Sequence, residues 1–247
     1  MYDRRAEEIS GILDSLGFSL NGPYAEIHDK AQGITSFEKT KSAIKLAVSM
    51  KEPVHAHFTA SDQSIEYMDA TIDLARDLGA PLVIFPEFSY FGNNPLTVDH
   101  LDRLMKAGRK PGVCVNTASI IFQLAGGNDI KRPICSAGRS ALAIAPDGSI
   151  LLPCFHQENY RIHTNGNLFD TYLSENVQDL LQKSGMYGFC QGCTNWCYIN
   201  PSFAGEFNRF TIPHILSGIR RMKEVHGERW LSKTGELLTH SIIRPKP

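Results

Sequence analysis

The sequence is short of several things, and each shortage excludes a class of protein. No apolar run approaches the ~20 residues needed to span a bilayer, so a membrane-spanning helix is not expected. Net charge is nearly absent: 25 Lys and Arg stand against 26 Asp and Glu, giving −1. Neither nucleic acid nor a membrane surface is therefore an expected partner. The first residues, Met1-Tyr2-Asp3-Arg4-Arg5-Ala6-Glu7-Glu8, have no apolar stretch that would serve as a signal peptide, so the expected location is cytoplasmic. Six cysteines are too few for a disulfide scaffold in 247 residues, and disulfides are unusual without an export signal. With 42% apolar and 21% charged residues, the composition is that of a globular protein, not a disordered, collagenous or coiled-coil chain. At ~150 residues per domain, the length allows one to two domains.

What is present falls into two patterns. In the first half, helical and strand patterns alternate. Ile9, Ile12, Leu13 and Leu16 have helical spacing, with Gly17 as the stop. Phe18-Ser19-Leu20 reads as a short strand, followed by an Asn21-Gly22-Pro23 break. Thr35 and Glu38 have capping-box spacing for a helix reaching about Met50. Pro53 to Thr59 reads as a strand, and Ser61 starts a helix with Ile65, Met68, Ile72 and Ala75 on one face. Leu82 to Phe85 is a continuous apolar run, typical of a strand buried on both sides. Helical patterns follow at Val98–Ala107 and Thr117–Leu124. This alternation predicts an α/β fold with about three parallel strands, part of a larger α/β architecture.

After Gly126-Gly127 the pattern changes. Ser140 to Ala145 and Ser149 to Pro153 flank Pro146-Asp147-Gly148, a hairpin turn signal. A helix from Ser174 to Gly185, a Cys/Gly-rich loop from Phe189 to Pro201 and a helix from Ile212 to Val225 follow. Trp230 to Pro247 has weak periodicity. Five of the six cysteines lie here: Cys135, Cys154, Cys190, Cys193 and Cys197. Cys190 and Cys193 form a C-x2-C pair, which lets one tight loop present two thiolates to one metal centre. Cys135 precedes the hairpin and Cys154 ends it, so folding the hairpin brings two more together. Four thiolates satisfy either zinc or an iron–sulfur cluster. A zinc ribbon usually carries two C-x2-C knuckles, so the isolated pair favours iron–sulfur and leaves zinc open. Cys114, in Val113-Cys114-Val115, reads as a small core residue.

Cys135-Ser-Ala-Gly138-Arg139, Ala143-Ile-Ala-Pro-Asp-Gly148, Pro153-Cys154 and Cys190-x2-Cys193 resemble the auxiliary-cluster (twitch, or longer SPASM) region of radical S-adenosylmethionine (SAM) enzymes. Ser19-Leu20-Asn21-Gly22, His28-Asp29 and Gly33-x2-Ser36-Phe37-Glu38 resemble a strand, loop and helix in mid-barrel of that family. The resemblance covers roughly residues 9 to 200. It implies a partial (β/α) barrel at 1–130, an α+β cluster domain with a β-hairpin at 131–205, and a helix and tail at 206–247. It implies that Cys135, Cys154, Cys190 and Cys193 hold one auxiliary [4Fe-4S] cluster, with Cys197 a further candidate. It places Ser19 near the SAM ribose and Glu87, after the Leu82–Phe85 strand, on the side of the barrel that faces cofactor or substrate. The implied partners are a peptide or small-molecule substrate and a reductant protein.

The sequence also departs from the family. The C-x3-C-x2-C loop that binds the SAM-cleaving [4Fe-4S] cluster is absent, and so is the Gly-Gly-Glu-Pro-like segment. The family pattern is entered at about its third helix, so SAM and the second cluster belong only to a complete protein. Two expectations follow for the lacking strands: an N-terminal block, or a partner chain that supplies it. Two other functions stay open: a non-catalytic iron–sulfur electron-transfer or partner subunit, and a structural zinc module on an α/β scaffold. His55 and His57 share one strand face and are expected to line the barrel with hydrogen bonds. Arg220, Arg221 and Lys223 read as a solvated helix face.

Overall fold

The computed structural model describes residues 2–88, 94–205 and 207–227. The expected tail from Trp230 to Pro247 lies outside them. The described residues divide into two compact units. The first takes residues from 1–87, 99–116 and 216 onward; the second takes 88–98 and 117–215.

In the first unit a short helix α1 (Ala6–Ile9) precedes strand β1 (Leu16–Ser19). Helices α2 (Ala25–Gln32) and α3 (Phe37–Ser49) lead to β2 (Val54–Ala60), α4 (Met68–Asp77) to β3 (Leu82–Pro86), and α5 (Val98–Ala107) to β4 (Val113–Val115). The four strands form a parallel sheet in the order β1-β2-β3-β4. The fourth strand is the Val113-Cys114-Val115 run, buried at its first two positions. Three residues are too few to register as a strand by alternation, so the sequence signals only a core segment there.

The helix expected from Ile9 to Leu16 ends at Ile9, where Ser10 turns extended and leaves Ile12 and Leu13 exposed. Leu16 and Gly17 belong to β1 instead. Gly17 is no helix stop. It pairs in register with His55, and a Cβ there would come within 2.7 Å of the His57 ring. The two imidazoles lie over the strand and leave no space for a side chain.

Helix α3 starts where expected, but the cap is different. Asp29, from α2, accepts the N–H groups of Ser36 and Phe37 through one carboxylate oxygen at 2.9 and 2.8 Å. Two orphan donors at the helix start are thus satisfied from outside the helix. Buried His28 ties the same turn together, accepting from Asn21 N–H at 3.2 Å and pairing with Ser36 Oγ at 3.1 Å. Helix α4 buries the expected Ile65, Met68, Ile72 and Ala75 stripe, with Ile65 in a preceding 3-10 turn.

The second unit holds α6 (Thr117–Leu124), the antiparallel strands β5 (Ala143–Ile144), β6 (Ile150–Cys154) and β7 (Gln157–Ile162), and helices α7 (Leu168–Leu173), α8 (Glu175–Gln182) and α9 (Trp196–Gly205). The β5–β6 hairpin forms as expected, pairing Ala143 with Leu151. Asp147 accepts Ser149 N–H at 2.9 Å, and Arg161 is its ion-pair partner at 3.0 Å. Ile150 and Leu152 pack on Val177 and Leu181 of α8, and Ala118 and Phe122 pack on Ile199, Phe203 and Phe210. The expected loop to Pro201 is half helix, because α9 runs through Pro201. Helix α10 (Thr211–His226) closes the described chain and belongs with the sheet unit from Leu216 onward. No described helix is long and apolar enough to cross a membrane.

Candidate cysteine site and relation to known structures

All six cysteines are free. Four of them line one cavity of about 320 Å³ in the second unit: Cys135, Cys154, Cys190 and Cys193, together with His156 and Tyr198. Cys154 ends β6, and Cys190 ends a 3-10 turn that begins at Gly188. Cys197, in the first turn of α9, is exposed and does not line the cavity.

Burial dominates the acidity of all four thiols and raises each pKa. Cys135 is pushed up to about 12 and Cys190 to about 11. For Cys135 the neighbouring Cys193, Cys190 and Cys154 add to the rise, so these sulfurs lie within electrostatic reach of one another. Backbone amides oppose the shift. Ala137 does so at Cys135, Gln157 and His156 at Cys154, Tyr187 and Gly185 at Cys190, and Asn195 at Cys193. The Asn195 N–H reaches Cys193 Sγ at 3.4 Å.

The loops that carry these cysteines are held by a residue that no sequence pattern singles out. Asn128 is fully buried. Its Oδ1 accepts from the N–H groups of Ile134 and Cys135 at 3.0 and 3.1 Å. Its Nδ2 donates to the carbonyls of Gly185 and Cys190 at 2.8 and 3.2 Å. Its own N–H donates to Cys193 O, and its carbonyl accepts Gly192 N–H at 2.7 Å. One residue therefore positions three of the four cysteine segments. Two glycines permit the approach. Gly127 (φ +77°) would bring a Cβ within 2.5 Å of Gly192 O, and Gly185 (φ +79°) would do so within 2.7 Å of Cys135 O. Both the left-handed backbone and the contact exclude a side chain. The Gly126-Gly127 break was the only local signal near Asn128.

Among the described residues, no group of three or more His, Cys, Asp or Glu side chains stands as a site for a single metal ion. The donor set itself, four free thiols around one cavity with backbone N–H groups turned to their sulfurs, is chemically suited to thiolate ligation.

The other candidates lie on the sheet. Ser19 ends β1, exposed and in register with His57. Glu87 follows β3, its N–H donating to Ala60 O at 2.8 Å. Both stand at carboxyl ends of parallel strands. His55 and His57 share a face with their rings 4.5 Å apart. Arg221, expected in solvent, instead reaches that face, with Nη2 3.1 Å from His55 Nε2. Since guanidinium only donates, His55 Nε2 is the acceptor and Nδ1 carries the proton. His55 Nδ1 and His57 Nε2 are buried without partners among the described residues. Arg220 donates to Lys110 O at 2.8 Å.

No protein-family profile and no curated protein matches the sequence. Solved structures do. "Native anSMEcpe with bound AdoMet" aligns with a TM-score of 0.52 at 12% identity, covering 95% of this chain and 72% of that one. A histidine-tagged anSMEcpe, also with bound AdoMet, gives 0.51 at 13%, covering 96% and 70%. These neighbours are radical SAM enzymes. The chain has a radical SAM-like fold. At such identity the likeness is one of fold alone: a mixed α/β chain with a parallel sheet and a separate small antiparallel sheet.

Proposed function

We propose that this chain binds an auxiliary [4Fe-4S] cluster through Cys135, Cys154, Cys190 and Cys193 and serves a radical SAM enzyme that modifies a peptide, natural product or cofactor precursor. The observation that carries the reading is the convergence of these four thiols on one cavity. The bare thiols are held neutral by burial, and cluster loading would draw off their protons. The amides of Ala137, Gln157, Asn195 and their neighbours would then stabilise thiolate charge that burial otherwise opposes. Asn128 keeps three cysteine segments in register while this happens. When bound, such a cluster supplies a one-electron acceptor or an anchor for substrate. Ser19 and Glu87 are proposed to face SAM or substrate from the strand ends. Cys197 is proposed to stay outside the ligand set.

Anaerobic reconstitution tests the reading. Purified chain should take up about four iron and four sulfide, by analogy with fully Cys-ligated clusters. C135A, C154A, C190A and C193A should each lose the cluster, while C197A keeps it. Stoichiometric zinc with no sulfide would overturn the proposal in favour of the structural zinc module.

A second reading rests on the missing C-x3-C-x2-C motif. Here the loaded chain acts only in electron transfer or as a partner subunit. SAM cleavage by the loaded chain under strong reductant would exclude it; we expect none from these 247 residues.

A further inference from the structure

Tyr198 belongs to the cysteine cavity without being a ligand. It is only 7% exposed and lines the cavity with all four cysteines. Its phenol oxygen accepts the N–H of Phe155 at 2.8 Å, and Phe155 directly follows Cys154. The accepting side of that oxygen is therefore used, while its own hydrogen still needs an acceptor, as a buried hydroxyl does. Two side-chain oxygens on the cavity wall are already engaged. Gln191 Oε1 accepts Ile130 N–H at 3.2 Å, and Asn195 Oδ1 accepts Cys197 N–H at 3.1 Å. The same wall presents four sulfurs, those of Cys135, Cys154, Cys190 and Cys193. A phenol is a protonated donor at neutral pH.

We propose that Tyr198 donates its phenol hydrogen to a cluster or thiolate sulfur in this cavity and thereby raises the cluster's reduction potential. The inference rests on the cluster reading above. A hydrogen bond to sulfur stabilises the reduced, more negative state, so its removal makes reduction harder. The hydrogen bond from Phe155 sets the phenol's orientation, because it ties the ring to the backbone beside Cys154. Tyr198 is thus a tuning residue, and its effect appears in potential rather than in ligand count.

The test compares wild type and Y198F after anaerobic reconstitution. Three quantities are read: iron and sulfide content, midpoint potential by electron paramagnetic resonance titration, and exchangeable-deuteron coupling by pulsed double resonance. We expect equal iron and sulfide, a lower midpoint in Y198F and loss of one deuteron coupling. An unchanged midpoint with equal loading would overturn the role of Tyr198 and leave the cluster reading intact. Failure of wild type to take up iron and sulfide would instead overturn the cluster reading, and this inference with it. If Y198F does not fold, 3-fluorotyrosine at position 198 keeps the shape and strengthens the donor. It should raise the midpoint, and an unchanged value again overturns the proposal.

Discussion

Asn128 makes a stronger claim on the site than its plain surroundings suggest. Its side chain satisfies two N–H groups and two carbonyls, all from segments that carry or flank cysteines. Asn128→Ala would leave those groups unpaired in a dry interior. At about 1–3 kcal/mol per unsatisfied group with partial relaxation, a loss of roughly 3 kcal/mol or more is expected. Urea unfolding checks this, and iron retained after reconstitution should fall in parallel. Asn128→Asp would set a buried carboxylate oxygen against the Gly185 and Cys190 carbonyls, so at neutral pH it should cost at least as much as Ala. The cysteines were legible in the sequence because a thiol declares its chemistry and C-x2-C spacing declares its geometry. Asn128 was not, because its partners lie as far as 57 and 62 residues away. Tyr198 was hidden for the same reason: its phenol meets Phe155 from 43 residues along the chain.

At the scale of elements, the longer amphipathic segments behaved as their patterns predict. Helices α5 and α6 keep the expected bounds, and α4 buries the expected stripe. Helix α2 and strand β7 carry no pattern that marks them in the sequence. Helix α2 buries only His28, and five of the six β7 residues are exposed, so neither offers an apolar period to detect. The cap of α3 is also non-local. The Thr35–Glu38 spacing suggested a local box, but Asp29 makes the contacts. Asp29→Ala should therefore lower the melting temperature, whereas Thr35→Ala should leave it nearly unchanged. The two amide hydrogen bonds hold the Asp29 carboxyl below its ordinary range. Its contribution is thus present above the unfolded value of 3.8 and is lost as pH falls through the folded value. An acid titration of thermal stability in wild type and D29A should show the two curves converge at the acid end.

For the whole molecule, the sheet face under α10 sets a pH response. Burial lowers His55 to about 3, with His57, Arg221 and His226 adding to the shift. Burial and Arg221 lower His57 to about 4. Both folded values lie below the ordinary 6.5, so the unfolded chain binds more protons between those limits. Stability is full above pH 6.5 and falls as pH drops toward about 4 and then 3. Urea midpoints measured across this range should decline, and His57→Gln should flatten the slope.

Local pattern alone decided much of this protein. Periodicity specified the helix–strand alternation, turn chemistry specified the β5–β6 hairpin, and composition specified a cysteine-rich second half. These are short-range properties, carried by side-chain spacing along one element. The tertiary structure decided the rest. It made a fourth strand of a three-residue run and brought Arg221 onto His55, 166 residues away. It gathered four cysteines around one cavity and left Cys197 outside. Those outcomes depend on which polar groups lose water together and which distant partners replace it. Neither is encoded in the neighbours of a residue along the chain.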